Sequence, residues 1–282
     1  MSDTNTENQN NETNTEIVHE STLFAEPIYH YNGFKVTNSL LNSWLVVFIV
    51  LVVCVTLKRK IKTVPKGIQN AFEMIIETFL DLFDSVTGSR GRSLKYFPLV
   101  FSFFIFILLS NWMGLLPGVG SIGQVAAEGH EKVFIPYFRG GTADLNTTLA
   151  LAIIGVVASH IFGVMAIGAW NYLNKFINIK AFLEIPKKIL TEPTVLLVNP
   201  IKAFVCLIEM IGEFAKIISL SFRLFGNIFA GEVLLASMSA LLAFGVPIPF
   251  MFLEVIVGIV QALIFSMLIL SYLTMNTSEE AH

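Results

Sequence analysis

Five long apolar stretches separated by shorter polar segments dominate the pattern of the chain. The first three cover residues 41–57, 96–116 and 145–170, and the last two cover 203–244 and 250–275. A helix needs about 20 apolar residues to cross the hydrocarbon core of a bilayer, and each stretch comes near or exceeds that length. The pattern predicts an all-α membrane protein with about five membrane-embedded helices.

The fourth stretch is too long to stand upright in a membrane. As one helix rising 1.5 Å per residue it would be about 63 Å long, roughly twice the hydrocarbon thickness. We expect it either to tilt steeply or to bend near Gly226 or Gly231. The Gly- and Pro-containing segment that follows is typical of a turn, so residues 203–276 are predicted to form a long helical hairpin.

The segment 66–84 has a different pattern, with one apolar and one polar face at helical spacing. The apolar face consists of Ile68, Phe72, Ile75, Ile76, Phe79, Leu82 and Phe83, and acidic residues occupy the rest of the wheel. Such a helix is expected to lie on the membrane surface. Together with the first three spans it forms the region 41–170.

The remaining segments are polar. Residues 1–40 are interpreted as an acidic tail, disordered to about residue 22, followed by an outer segment. Residues 171–202 contain three prolines and are predicted to be a loop. Cys54 and Cys206 have no metal-ligand companions nearby, so we interpret both as apolar packing residues and expect no metal or cofactor.

Composition and charge refine this picture. The chain is 54% hydrophobic and only 14% charged, which excludes an ordinary soluble domain. Lysine and arginine concentrate in 58–95 and 175–202, and basic loops normally stay in the cytoplasm. The N-terminus is therefore expected outside, and the loop 171–202 and the C-terminus inside.

Arg223 is the strongest functional candidate, because an ionisable group within a bilayer is costly and is a default candidate for a transport path. At about 100° per residue, Lys216, Ser219, Arg223 and Asn227 share one stripe of the fourth helix. A guanidinium stays protonated at physiological pH, so Arg223 would act as a fixed charge. It would favour the ionised form of a carboxylate on a moving partner and block the leakage of free protons. The alternative is a structural ion pair with an acid on another helix, such as Glu254.

Two acids and an amide are expected on the outer side of that charge. Glu232 is half a turn out of phase with Arg223 and further towards the outside. In an antiparallel hairpin Glu254 should lie near the depth of Glu232, and Gln261 nearer that of Arg223. The acids are predicted to line an aqueous path together, although structural burial, paired with each other or with an arginine, is the alternative.

Weaker candidates lie in the second and third spans. They are Asn111, Asp144, Asn146, Thr148 and His160. All five could line the same outer path. Asp144 and Asn146 could instead cap the third helix, and His160 could instead make an interhelical hydrogen bond.

Residues 219–231, followed by Glu232, resemble the signature helix of subunit a of F-type ATP synthases. The final helix, with Glu254 and Gln261, is similar to the last helix of that family. Segments 111–117 and 143–148 also resemble the corresponding segments of the family. The resemblance covers most of 66–275. Enteric members have a histidine at the position of Glu254 and an aspartate at that of Gly114.

The resemblance implies a non-catalytic stator subunit that forms two proton half-channels and couples proton translocation to rotation and ATP synthesis. It implies that Arg223 faces the ring of c subunits beside Asn227 and Gln261. It places Glu232 and Glu254 in the outer half-channel, and the inner one near Ser219. The implied partners are the c-ring, the b-subunit peripheral stalk, the rest of the complex and the lipid bilayer of a bacterial inner membrane, with no nucleic acid.

Two functions of other classes remain as alternatives. A secondary transporter would use Arg223 to bind an anionic substrate, but such transporters usually contain internal repeats with broken helices, and the sequence has none. A structural membrane anchor would not need intramembrane Arg, Glu and Gln. The sequence leaves open whether the coupling ion is H⁺ or Na⁺.

Overall fold

The computed structural model describes residues 17–18, 25–31, 34–60, 62, 67–116, 119, 122–128, 131–172, 195–242 and 245–278. Its helices are α1 (Asn38–Lys60), α2 (Ile68–Thr87), α3 (Arg90–Leu115), α4 (Leu145–Ile167), α5 (Val195–Leu241) and α6 (Pro247–Thr277). Its strands are β1 (Ile17–Val18), β2 (Pro27–Tyr31), β3 (Phe34–Thr37), β4 (Gly123–Glu128) and β5 (Glu131–Pro136), and a 3₁₀ turn covers Gly141–Ala143.

Four of the described helices, α1, α3, α4 and α6, are long and apolar enough to cross a membrane. They correspond to the first three predicted spans and the last one. With α5 packed against α4 and α6, the prediction of an all-α membrane protein with about five embedded helices is confirmed. Apolar side chains such as Phe48 and Ile154 point away from the protein, as expected for surfaces that contact lipid.

The amphipathic helix α2 is present and begins and ends within three residues of the predicted bounds. Phe83 is fully buried, and the ring of Phe79 lies 4.5 Å from that of Phe104 on α3. Gly88 ends α2 with a positive φ of 70°, a conformation that glycine adopts without strain. Arg90 then donates to carboxylates of Asp81 and Asp84 at 2.9 Å, which fixes the corner between α2 and α3.

The core lies where α3, α4 and α6 meet. Phe103 and Phe265 place their ring centroids 5.7 Å apart, and Ile107 and Ile269 are fully buried. Gly155 of α4 faces Ile269 so closely that a Cβ there would clash with it. Small residues at such positions let membrane helices approach closely, and this contact sets the distance between α4 and α6.

Helix α5 is one continuous helix of 47 residues. It begins at Val195 and continues through Pro200, so the prediction that the loop extends to residue 202 is wrong at that end. Residues 173–194 of that loop lie outside the described residues. At 1.5 Å per residue α5 is about 70 Å long, which requires a steep inclination if it stays within a bilayer. Of the two alternatives, no break interrupts the helix at Gly226 or Gly231.

Strands occur in the polar segments before α1 and between α3 and α4, where the sequence indicated only tail and loop. β4 and β5 form an antiparallel hairpin, β1 pairs with β5 in parallel, and β2 pairs with β3. The expectation of disorder is therefore wrong at Ile17 and Val18, whereas residues 1–16 lie outside the described residues. The Asn38 side chain donates to Pro136 O at 3.4 Å, which ties the start of α1 to β5.

Candidate functional site

The two faces of α5 differ sharply around Arg223. Leu220, Leu224 and Ile228 are at most 8% exposed on the face that packs into the protein. Ser219, Arg223 and Asn227 are exposed on another face, as the helical spacing indicated. Because the helix is continuous, the predicted stripe is a real surface of the molecule.

Arg223 is not held by an acid of its own chain within the part that the structure describes. The described ion pairs are formed by Arg90, Arg139, His160 and Lys216, and none includes Arg223. The alternative of a structural ion pair with Glu254 is not observed, since that side chain points to the backbone of α5 instead. A guanidinium on an open face remains available for a carboxylate from another chain.

Glu232 makes a two-pronged ion pair with Arg139. Both Nε and Nη2 of Arg139 donate to the carboxylate, at 2.9 to 3.1 Å. The Arg139 side chain is 5% exposed and that of Glu232 is 34% exposed. Bidentate pairing of this kind fixes both position and orientation. Arg139 lies in a loop and has no periodicity to reveal what it faces, so the sequence pattern did not indicate this ion pair.

Glu254 is buried against the backbone of α5 and is 7% exposed. A Cβ placed on Gly231 would overlap its carboxyl group, so only glycine leaves room for it. Since Gly231 precedes Glu232, Glu254 lies at the depth that the antiparallel hairpin indicated. The Oε1 atom of Glu254 has no hydrogen-bond partner among the described residues. The two acids are thus neighbours in depth, but Glu232 pairs with Arg139 rather than with Glu254.

Asn111 links α3 to the face of α6 that carries Glu254 and Gln261. Its Nδ2 donates to Gly258 O at 3.2 Å, and its Oδ1 accepts a short hydrogen bond from Thr142. Gly258 lies between Glu254 and Gln261 on that face, and both are buried. Asn111 therefore belongs with these two candidates.

Asp144 caps α4. Its Oδ1 accepts from the backbone of Asn146 at 3.1 Å, and its Oδ2 accepts from Ser39 at 3.0 Å and Thr147 at 3.2 Å. The capping alternative therefore describes Asp144, which is 3% exposed and also anchors α1. Asn146 contributes its backbone N–H to this cap, and its side chain is exposed.

His160 lies with a different group from the outer candidates. Its Nδ1 is 2.6 Å from the Tyr172 hydroxyl, and its Nε2 is 3.4 Å from Glu213. Lys216 donates to the other oxygen of Glu213 at 2.7 Å. His160 is about 24 Å along α4 from Asp144, given 1.5 Å per residue. Placing His160 with Asp144 and Asn146 was therefore a wrong grouping, and an interhelical contact describes it.

Tyr172, beside His160, remains a neutral phenol at physiological pH. Burial, followed by the charges of Glu213 and Glu209, raises the pKa of Tyr172 to about 12. The hydroxyl can therefore donate a hydrogen bond to Nδ1 of His160 or accept one from it, and either direction joins the two side chains at 2.6 Å.

Comparison with known proteins identifies the family of the chain. The sequence profile described as "ATP synthase A chain" matches residues 40–274. The chain is 33% identical to ATP synthase subunit a of Trichlorobacter lovleyi, over 87% of this chain and 89% of the relative. It is 34% identical to the subunit a of Syntrophobacter fumaroxidans, over 89% of each chain. For the Moorella thermoacetica subunit the identity is 29%, over 87% of this chain and 93% of the relative.

The chain belongs to the ATP synthase A chain family. As a member of that family it departs from the enteric pattern at Gly114, and the structure shows why an aspartate has no room there. A Cβ on Gly114 would lie 2.9 Å from Gly140 Cα, so the backbones of α3 and the outer loop are in direct contact. The second departure, Glu254, fills the space beside Gly231.

One further contact in this family member joins the helices near Arg223. The hydroxyls of Thr148 on α4 and Ser221 on α5 lie 3.2 Å apart, and both residues are fully buried. Ser221 is two residues from Arg223 and faces the opposite way. This contact fixes the rotation of α5 and so helps to hold the Arg223 face outwards.

Proposed function

We propose that this chain is the stator subunit of the membrane sector of an F-type ATP synthase, in which Arg223 is a fixed charge between two proton half-channels. The observation that carries the proposal is the exposed Arg223 face of α5, which has no acid of the described residues within ion-pair distance. A permanently charged group cannot relay protons. Its partner is a carboxylate carried by the rotating c-ring.

The surroundings of Arg223 support a partner that lies within the membrane. Ile211, Phe214, Ile218 and Phe222 on α5 are all more than half exposed. A single positive charge within such an apolar surface suits a helix that carries one carboxylate. Passing Arg223 would force that carboxylate to ionise, because a nearby positive charge stabilises the anion. Proton passage then requires the ring to turn.

The outer half-channel uses the two acids differently. Glu232 is held and oriented by Arg139. Glu254 has a carboxyl oxygen with no partner among the described residues, which suits a group that takes up and releases a proton. Asn111 and Gln261 lie beside it on the way to Arg223.

The inner half-channel lies towards the Glu213 end of α5. His160, Glu213 and Lys216 form a polar cluster there, between α4 and the Arg223 stripe. Ser219 lies between this cluster and Arg223 on the exposed face. The concentration of Lys and Arg in segments 58–95 and 175–202 supports a cytoplasmic location for this side and an outer location for the β-strands.

The subunit is non-catalytic and requires no cofactor for this role. We place it in a bacterial inner membrane, in contact with the c-ring, the b-subunit peripheral stalk and the remaining subunits. The chemistry of ATP belongs to other chains of the complex.

The test is ATP-driven proton uptake by the purified complex in vesicles. Arg223→Ala is expected to assemble normally and to abolish pumping, because the fixed charge is lost while the packed face of α5 is untouched. Arg92→Ala is the control. Arg92 is exposed in the first turn of α3, so this variant should pump normally. Normal coupled pumping by Arg223→Ala would overturn the proposal.

Two further measurements complete this test. Uptake with and without Na⁺ identifies the coupling ion. The isolated chain in vesicles should conduct neither protons nor organic anions; anion conduction would favour a secondary transporter.

A further inference from the structure

A second group of buried polar side chains lies at the outer ends of α1 and α3. Asn42 is 1% exposed and Ser110 is fully buried. Both amide atoms of Asn42 and the hydroxyl of Ser110 have no hydrogen-bond partner among the described residues. Buried polar atoms in native proteins are almost always satisfied, and buried water is the usual partner where protein groups do not serve.

These side chains surround the 3₁₀ turn at Gly141. The point that a Cβ on Gly141 would occupy lies 3.5 Å from Asn42 Nδ2 and 3.6 Å from Ser110 Cβ. Ser43 Oγ lies 3.3 Å from the same point. Polar side chains from two helices, α1 and α3, therefore converge on the 3₁₀ turn where Gly141 has no side chain.

The group lies beside a chain of hydrogen bonds that reaches α6. Thr142, next to Gly141, donates to Asn111, and Asn111 donates to Gly258 O at 3.2 Å. Gly258 is one helical turn from Glu254 on α6. Asn42 and Ser110 are therefore near the polar contacts on the Glu254 side of α6.

We propose that Asn42 and Ser110, around Gly141, bind buried water that forms the outer end of the proton path to Glu254. This inference rests on the proposed function and adds α1 to the half-channel. The chemistry of Asn42 favours water over an ion. Its amide offers both a donor and an acceptor, whereas a cation uses only acceptors and an anion only donors.

The first experiment measures access of water to these positions independently of pumping. Ser110→Cys is introduced into the complete complex after Cys54 and Cys206 are replaced by serine, so that the new cysteine is the one that this chain contributes. Ag⁺ reaches thiols through water but not through packed apolar side chains, and blocked cysteine is quantified by later alkylation and mass spectrometry. The matched control is Ser266→Cys, since Ser266 is also fully buried but its hydroxyl donates to Ala262 O at 2.7 Å.

We expect the rate constant for blocking by Ag⁺ to be at least about tenfold larger for the cysteine at 110 than for the one at 266. Equal, slow blocking at both positions would overturn the water site. Ser110→Cys changes one atom of the side chain, so the result does not depend on whether a more drastic variant assembles.

The second experiment measures the role of the water in transport. Asn42→Leu keeps the approximate size of the side chain and removes both polar atoms, and it should slow ATP-driven proton uptake about tenfold without reducing the amount of assembled complex. Ser266→Ala should leave uptake unchanged. Full uptake by Asn42→Leu would show that the site, even if hydrated, is not on the path.

The two proposals fail in different ways. If Arg223→Ala pumps normally, the proposed function fails, whereas Ag⁺ access at position 110 would still establish the water site. If Arg223→Ala abolishes pumping and position 110 is closed to Ag⁺, the proposed function stands and only the water site is refuted.

Discussion

The contact between Gly231 and Glu254 allows a sharp test of the outer path. In Gly231→Ala the new methyl group would overlap the Glu254 carboxyl, so one of them must move. The carboxyl is the mobile end of the longer side chain, but it is buried among α5 and α6. Forcing an extra methyl group into a packed site typically costs about 1–3 kcal/mol.

We expect the strain to slow proton uptake, because it displaces the Glu254 carboxyl, which we propose takes up protons. A barrier raised by 1–3 kcal/mol slows a step by roughly five- to 150-fold. We therefore expect Gly231→Ala to slow ATP-driven proton uptake within that range. Gly91→Ala is the control, since nothing lies within 4 Å of a Cβ at that exposed helical position.

A second-site variant shows whether the carboxyl is the cause. Glu254→Asp withdraws the carboxyl by one methylene group and makes room for the methyl at position 231. Combined with Gly231→Ala, it should restore part of the lost rate, so the effects of the two changes should not add. Simple additivity, or full activity of Gly231→Ala alone, would refute this account of the contact.

Three further outcomes are expected. Glu254→Gln should slow proton uptake and flatten its dependence on pH, and an unchanged pH profile of uptake in vesicles would show a structural role. Gly114→Asp should reduce the amount of assembled complex, because its side chain meets the backbone of Gly140, and normal yield on a native gel would contradict this. Tyr172→Phe should lower the free energy of unfolding by about 1 kcal/mol through the lost hydrogen bond to His160. The pKa of Tyr172 is raised from 10.0 to about 12, so the folded state favours the neutral phenol. The contribution of Tyr172 to the free energy of unfolding should therefore be complete below pH 10 and decline between pH 10 and 12. Denaturation curves measured across pH should show this decline for the native chain and not for Tyr172→Phe.

Periodicity predicted the helices well because lipid imposes a simple rule on composition. The stripe of Ser219, Arg223 and Asn227 followed from 100° per residue, and this worked because α5 is unbroken. The prediction of a loop up to residue 202 was wrong from Val195 onwards, because the helix begins there and continues through Pro200. Periodicity also gave no indication of β4 and β5 within the outer polar segment.

The sequence pattern failed at those site residues whose partners are set by tertiary contacts. Arg139 lies in a loop, and only the folded chain shows that it meets Glu232. His160 was grouped with the other polar residues on the assumption of a single path, although its distance along α4 separates it from Asp144. Unsatisfied amide atoms such as those of Asn42 are invisible in a sequence, because satisfaction depends on neighbours from other elements.

The unbroken course of α5 has a mechanical consequence. Under the proposed function, α5 must withstand the torque of a ring that turns against its Arg223 face. A continuous helix of about 70 Å resists bending as one rigid element. Its contacts with α4 and α6 support it on the opposite face. A flexible joint at Gly226 or Gly231 would absorb part of each rotational step, whereas a continuous helix would transmit the load to the other membrane helices.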